Sequence, residues 1–356
     1  MAVDDLVRAR DRIIGTIAAE RSAGDSLCEI LAALHEIADF DSAALMLTDP
    51  ETMLPSGAAV EGFPPESCVP FWDNELLDPD FLKFNELARS HDPIGTLYEA
   101  TDGDLERSPR YRRLLAPFGA KDELRVAFSS GTTCWAVGAL VRPAGMDPFT
   151  PEEVRAVRDL IPVAARSLRH AVSSRSELGV LPGPGMLVVD ASGRIDSMTP
   201  DAEEALFDLQ CCRTEPDFLP TSILAAAVRA RSSRSSARVA VRARGLSGTW
   251  MKVHASPLGD DGRVAVMIEP ARRSDLLPIL LESYDLTARE SEVILLISRG
   301  LSTKDIAAEL CISAHTVNDH IKVIFAKVGV TSRGELVAKL FSEHVIEPFH
   351  EHAVHV

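Results

Sequence analysis

Residues 313–329, "SAHTVNDHIKVIFAKVG", sort into two faces when each residue is taken as a 100° step of helix. Val317, Ile321, Ile324, Phe325 and Val328 fall on one side, at the i, i+4, i+7, i+8 spacing of a core-facing stripe. His315, Asn318, Asp319, Lys322 and Ala326 fall opposite, with Val323 at their margin and His320 between the faces. Helix-start signals recur around this stretch. Thr287 with Glu290 makes a capping-box pattern ahead of the apolar run Val293–Ile297, which Gly300 ends. Ser302 with Asp305 starts a short helix, Ser313 starts the two-faced one, and Ser332 with Glu335 starts a fourth. Two short helices joined across "CIS", the second exposing amide, carboxylate, ammonium and imidazole groups, predict a helix-turn-helix. Ala307 and Ala308 are small enough to let that pair cross closely, with Ile306, Leu310 and Val317 as the wedge.

Earlier in the chain the periodicity alternates between helical and extended. Helical patterns over Leu6–Ile17 and Leu27–Ala38 precede the strand-like runs "SAALMLTD", "LRVAFSS" and "TTCWAVGALV". A helix after Pro151 closes this segment, and Pro162 is expected to bend it. From Gly185, "GMLVVDASGRIDSMTPDAEEAL" reads as strand, glycine turn, strand and helix. "ARVAVRARG", "TWMKVHASPL" and "RVAVMIEP" follow as strands, with "GLSG" as a hairpin turn. The pattern divides the chain into an α+β domain over 1–175, a linker over 176–184 and a second α+β domain over 185–270. A linker over 271–282, an all-α domain over 283–345 and a tail over 346–356 complete it.

A length of 356 residues agrees with several domains. No run of about 18 apolar residues is present, so no membrane span is expected. "MAVDDLVRARD" lacks an apolar signal region, and six cysteines without a CxxC pair suit a reducing compartment, so a cytoplasmic protein is expected. Cys211 and Cys212 are neighbours in sequence, and reduced, half-buried thiols are the expectation for them. The net charge of −16 argues against a nucleic-acid partner until it is divided. Residues 1–178 carry 18 basic and 30 acidic side chains, whereas residues 283–356 carry 7 and 10. The acidity sits in the first half, and the C-terminal part is close enough to neutral to permit DNA.

"LTARESEV", "RGLSTKDIAAEL" and "ISAHTVNDHIKVIFAKVGVTSRGEL" together resemble the LuxR-type (FixJ- or NarL-type) helix-turn-helix of bacterial transcription regulators, over roughly residues 284–341. The resemblance implies a four-helix DNA-binding domain whose third helix enters the major groove and whose fourth serves dimerisation. Ser302, Thr303, Ser313 and Thr316, with Lys304 and Lys322, are then placed for phosphate. His315, Asn318, Asp319 and Val323 lie on the groove-facing side of the third helix. Asn318 can pair with adenine, and Asp319 can accept from cytosine N4 while repelling phosphate. The family usually sets a basic residue after "TV", where this chain has Asn318 and Asp319. In the fourth helix Leu336 and Leu340 share one stripe, and Val337 and Phe341 the next. One stripe is expected to pack on the third helix and the other to meet its twin in a homodimer. Double-stranded DNA, a second copy of the chain and RNA polymerase are the expected partners.

Residues 1–175 resemble a GAF domain and residues 185–270 a PAS domain, by element order and a few short stretches. Both families are α+β sensors that hold small ligands or mediate dimer contacts. Phe71, Trp72, Phe81, Phe84 and Trp135 are candidates to line a pocket, ordinary core packing being the alternative. No metal or cofactor site is indicated, and a small-molecule effector stays unidentified. "LMLTDPETMLPSG" imitates a phospho-acceptor strand around Asp49, but the acidic pair and lysine of a receiver are lacking, so no phosphorylation is expected there. GxSxG, HExxH, P-loop and GxGxxG motifs are absent and His254 has no nucleophile nearby in sequence, which argues against an enzyme. The chain thus reads as a one-component transcription regulator with paired sensors. The competing reading is a small-molecule- or protein-binding sensor whose helix-turn-helix has little DNA affinity.

Overall fold

Capped periodic runs become helices and alternating or fully apolar runs become strands in the computed structural model, which describes residues 3–19, 21–173, 183–210, 219–232 and 239–342. The chain begins with α1 (Val3–Ala18) and α2 (Ala23–His35), the second started by Ser22, whose hydroxyl accepts from the Asp25 N–H. A hairpin of β1 (Ser42–Thr48) and β2 (Pro55–Glu61) follows, then α3 (Cys68–Leu77), the single turn α4 (Phe84–Leu87), β3 (Ile94–Thr96) and α5 (Leu97–Ala100). The long central strands β4 (Ala120–Ser130) and β5 (Thr133–Pro143) are buried almost throughout. α6 (Pro151–Ser173) packs on both and runs on through Pro162 as one helix. These five strands form an antiparallel sheet ordered β2-β1-β5-β4-β3.

A second antiparallel sheet repeats that order. It comprises β6 (Gly185–Val189), β7 (Ile195–Met198), β8 (Val239–Arg244), β9 (Trp250–Leu258) and β10 (Arg263–Pro270), arranged β7-β6-β10-β9-β8. Counted from its own first strand, each sheet reads 2-1-5-4-3. Between β7 and β8 lie α7 (Pro200–Leu209) and α8 (Thr221–Ser232).

The sheets belong to one compact unit that ends at Ala271, not to two domains joined by a linker. The cause is α8, whose residues Ser222 to Val228 are all buried. A helix apolar on every side must be covered on every side, and α8 packs on β8 and β9 of its own sheet and on α3 and β2 of the other. Ala44, Met46 and Trp72 accordingly share one hydrophobic cluster with Leu187, Val228 and Val266. A buried ion pair joins the sheets as well. Asp49, at the β1–β2 turn, accepts from the backbone N–H (3.0 Å) and Nε (2.8 Å) of Arg242 on β8 through Oδ2, and from Arg242 Nη2 through Oδ1. Arg244 Nη1 donates to the Ala171 carbonyl at 2.8 Å, a further tie between the second sheet and α6.

The second unit begins at Arg272. Its first element, α9 (Arg273–Ser283), occupies the stretch expected as the 271–282 linker. A run such as "DLLPILL" has no one-sided period to announce a helix, since apolar residues point all round. α10 (Ala288–Ser298), α11 (Thr303–Glu309), α12 (Ala314–Val328) and α13 (Arg333–Ser342) follow. Their core gathers Leu281, Val293, Ile297, Ile306, Val317, Ile324 and Leu336. Residues 176–182 of the first expected linker, Cys211 with Cys212, and the tail 346–356 lie outside the described residues. No helix among the described residues is long and apolar enough to cross a membrane.

Candidate nucleic-acid interface

Each of the four helix starts carries its expected cap. Thr287 Oγ1 accepts from Glu290 N–H at 3.3 Å while Glu290 Oε2 accepts from Thr287 N–H at 2.8 Å. Ser302 and Asp305 reciprocate in the same way, Ser313 Oγ accepts from Thr316 N–H at 3.0 Å, and Ser332 Oγ from Glu335 N–H at 3.1 Å. Caps this regular fix where each helix begins, and so which residues face out. Along α12, Val317, Ile321, Ile324 and Val328 are buried, while His315, Thr316, Asn318, Asp319, Lys322 and Val323 are exposed. His320 is half-buried between the faces. Ile306 and Val317 are fully buried where α11 meets α12, with Leu310 half-buried beside them. Of the two small residues expected at that crossing, Ala307 is buried and Ala308 faces solvent.

The hydroxyls are less free than their exposure suggests. Ser302 Oγ donates to Asp305 Oδ2 at 2.6 Å, so its proton is held inside the helix start. Ser313 and Thr316 hydroxyls share one hydrogen bond of 2.8 Å, which leaves the proton of one of them for an outside acceptor. Thr303 is half-buried and Lys304 exposed at the α11 start. Asp319 sits in a charge ladder, its Oδ2 at 3.5 Å from His315 Nε2 and its Oδ1 at 3.6 Å from Lys322 Nζ. The carboxylate that departs from the family pattern is therefore flanked by a cation one turn along.

Most of the domain's cations are engaged internally. Lys327 Nζ holds Glu290 Oε2 at 2.7 Å and the Asp285 carbonyl at 2.8 Å. Arg289 Nη2 donates to the Leu310 carbonyl, Arg333 Nη1 to that of Leu301 and Lys339 Nζ to that of Val328. Arg299, Lys304, Lys322 and Lys327 are the exposed basic residues among those described from 283 onward, Lys327 being the one held by Glu290. Burial alone would push the Glu290 carboxyl up, but the Lys327 ammonium and the Thr287 N–H outweigh it and hold it below the usual range.

α13 packs on more of its own chain than expected. Leu336 and Leu340, two of the four residues expected to serve dimerisation, are 0% and 4% exposed in the core of the same chain. The helix packs on α9 and α10. Val337 is half-buried against that core, and the Phe341 side chain lies outside those described. In the first unit, Trp72 and Phe84 line a cleft of about 390 Å³. Phe71 packs edge-on to Trp72 behind it, and Trp135, 2% exposed on β5, is core. Phe81 lies under the Arg107 guanidinium.

The family model described as "Bacterial regulatory proteins, luxR family" matches residues 285–340. This stretch is a luxR-family helix-turn-helix domain. Its α12 is the family's third helix, and its capped starts stand where the sequence resemblance set them. A helix-turn-helix transcriptional regulator of Mycobacterium bovis is 48% identical over 52 residues, which cover 15% of this chain and 6% of that protein. The monoamine regulon transcriptional regulator of Klebsiella aerogenes is 46% identical over 68 residues, 19% of this chain and 28% of that protein. The chain thus spans well under half the length of these relatives. A solved VqmA–ligand–DNA complex from Vibrio cholera overlaps 45% of this chain and 81% of that one at 20% identity, with a TM-score of 0.23. An overlap so loose carries no argument about how this chain's luxR-family domain is used.

Proposed function

We propose that the chain is a bacterial one-component transcription regulator that binds duplex DNA with α12 in the major groove, under control of its first unit. One observation carries the reading. His315, Asn318, Asp319, Lys322 and Val323 stay exposed together on α12 while the residues between them build the core. The groups left outside are those that contact base edges and phosphates. Residues 1–175 act as a GAF-like and 185–270 as a PAS-like sensor, a reading supported by the shared 2-1-5-4-3 strand order. An effector that binds one arrangement of that unit better shifts how two DNA-binding domains are presented to paired half-sites.

The reading is tested by the salt dependence of duplex binding. Each phosphate neutralised contributes about −0.9 to the slope of log K against log salt. With Arg299, Lys304 and Lys322 as its phosphate contacts, one domain of residues 272–356 is expected to give a slope of about −3. Lys322→Ala lowers its magnitude by roughly one and weakens all sequences alike. Salt-independent binding, or none, favours the second reading, a sensor whose helix-turn-helix has little DNA affinity. The observation on that side is the domain's balance of 7 basic against 10 acidic residues. A homodimer is part of the proposal, with Val337 and Phe341 as the remaining α13 candidates and cooperative filling of two half-sites as the measurement.

A further inference from the structure

α1 packs on α2 and α6 with one side only. On that side Ala9, Ile13 and Thr16 are 3% exposed or less, and the Thr16 hydroxyl shares a hydrogen bond with that of Ser167 on α6. The opposite side is less polar than the outer face of a surface helix. Val7 is 50% and Ile14 39% exposed there, and Ala18 is exposed one turn further on. Taken at 100° per residue, these three fall within about 40° of one another and make one apolar stripe.

Charge decides what covers that stripe. Most charged groups of α1 are matched within the chain. Arg8 Nη2 holds Asp5 Oδ1 at 2.5 Å, and Arg12 holds Glu36 Oε1 at 2.7 Å and Glu29 Oε2 at 3.1 Å. Asp4 sits in the first turn, where the helix dipole favours an acid. Arg10 and Asp11 are exposed and have no ion-pair partner among the described residues. They flank the stripe, Arg10 about 60° to one side of Val7 and Asp11 about 40° to the other. A helix with a cation on one flank and an anion on the other complements a second copy of itself. A twofold axis parallel to the helix brings the Arg10 flank of each copy against the Asp11 flank of the other. An axis across the helix brings Arg10 to Arg10 and Asp11 to Asp11, which repel.

We propose that α1 is a homodimer interface, with two copies packed in parallel, Val7 and Ile14 along the twofold axis, and Arg10 of each copy paired with Asp11 of the other. The proposal deepens the homodimer of the reading above by giving the first unit a contact of its own, one that needs no DNA. One helix pair covers less than the roughly 1,200–2,000 Å² of a stable interface, so α1 by itself gives association in the micromolar range.

The full chain is brought to sedimentation equilibrium without DNA. The parent is expected to dimerise, and Asp11→Arg to raise the dissociation constant at least about tenfold, because two attractions become two repulsions. General electrostatics would act the other way, since the variant lowers the mutual repulsion of chains that carry a net charge of −16. Exchanging the two charges, Arg10→Asp together with Asp11→Arg, restores the parent's affinity. Val7→Glu sets two carboxylates together at the axis and weakens the dimer about tenfold or more. All three positions are exposed, so each variant keeps the parent's melting temperature. A parent that stays monomeric at about 100 µM overturns the proposal. So does an unchanged constant in Asp11→Arg or Val7→Glu, or no recovery in the exchange. Duplex binding is measured separately on residues 272–356, which lack α1, so the DNA-binding reading and this one can fail apart.

Discussion

Glu290 ties together two helices with one carboxylate. Its Oε2 accepts the Thr287 N–H that starts α10 and the Lys327 ammonium from the last turn of α12. Because its folded pKa is lowered, the stability it confers is fully present above the unfolded value, about 4.3, and is lost as pH falls through the folded one. Lys327→Met removes the cation that lowers it. The acid unfolding of residues 272–356 should then begin at higher pH, with about 2 kcal/mol lost near neutrality, read from urea melts across a pH series. Asn318 acts at the same scale but on the other side of α12. If it pairs with an adenine, Asn318→Ala costs on the order of 1–3 kcal/mol at one base position and leaves the others unchanged. A binding-site selection that returns the same motif for variant and parent would remove that role. Asp319 belongs with Lys322: while Lys322 stands at 3.6 Å, the carboxylate can face a cytosine amine with its repulsion toward phosphate partly offset.

Helix starts were legible in the sequence because a cap is a contact between residues three apart. Ser302, Ser313, Thr287 and Ser332 needed no knowledge of the rest of the chain. What α13 packs on was not legible, and the error has a single origin. With α9 read as a linker, α12 alone was named as the cover for Leu336 and Leu340, whereas α9 and α10 pack on α13 as well, in a core that also holds Ile324 and Val328 of α12. The strands of the second sheet and β1, β4 and β5 of the first could be read from their runs, while β2 and β3 were not read; the shared core could not be read either, because it depends on α8, a helix without a polar face. Pocket residues fared likewise: Trp72 and Phe84 lie at the cleft, whereas Trp135 has the same composition signal and is core. The turn between α11 and α12 holds a detail that periodicity cannot show. Cys311 sits there at φ 53°, in the left-handed region. That conformation costs a residue with a side chain roughly 1–2 kcal/mol, and glycine gives back part of the gain in chain entropy. Cys311→Gly is therefore expected to raise the stability of the domain by up to about 1 kcal/mol, measured by chemical denaturation. Ser313→Ala, which uncaps α12, should lower it by about 1 kcal/mol.

Across the whole molecule the decisive contact is Asp49 with Arg242, 1% and 5% exposed. The residue that imitated a phosphate acceptor has both carboxylate oxygens taken by Arg242, and Oδ1 also accepts from the Glu51 N–H at 3.0 Å. Removing one partner strands a buried charge, so Arg242→Met should cost about 3–5 kcal/mol. The loss should appear as a lower melting temperature of the first unit, with duplex affinity of residues 272–356 untouched by construction. Both sheets should melt together in a single calorimetric transition, because neither keeps its core when the other leaves. The pair also governs how the gene can be cut and recombined. A crossover between codons 175 and 185 would send Asp49 to one descendant and Arg242 to another, each inheriting half of α8's surroundings and an unmatched ion. A crossover after codon 271 divides no core and no ion pair within either unit. Lineages that shuffle this chain can exchange it in two pieces, although its sequence pattern marks out three.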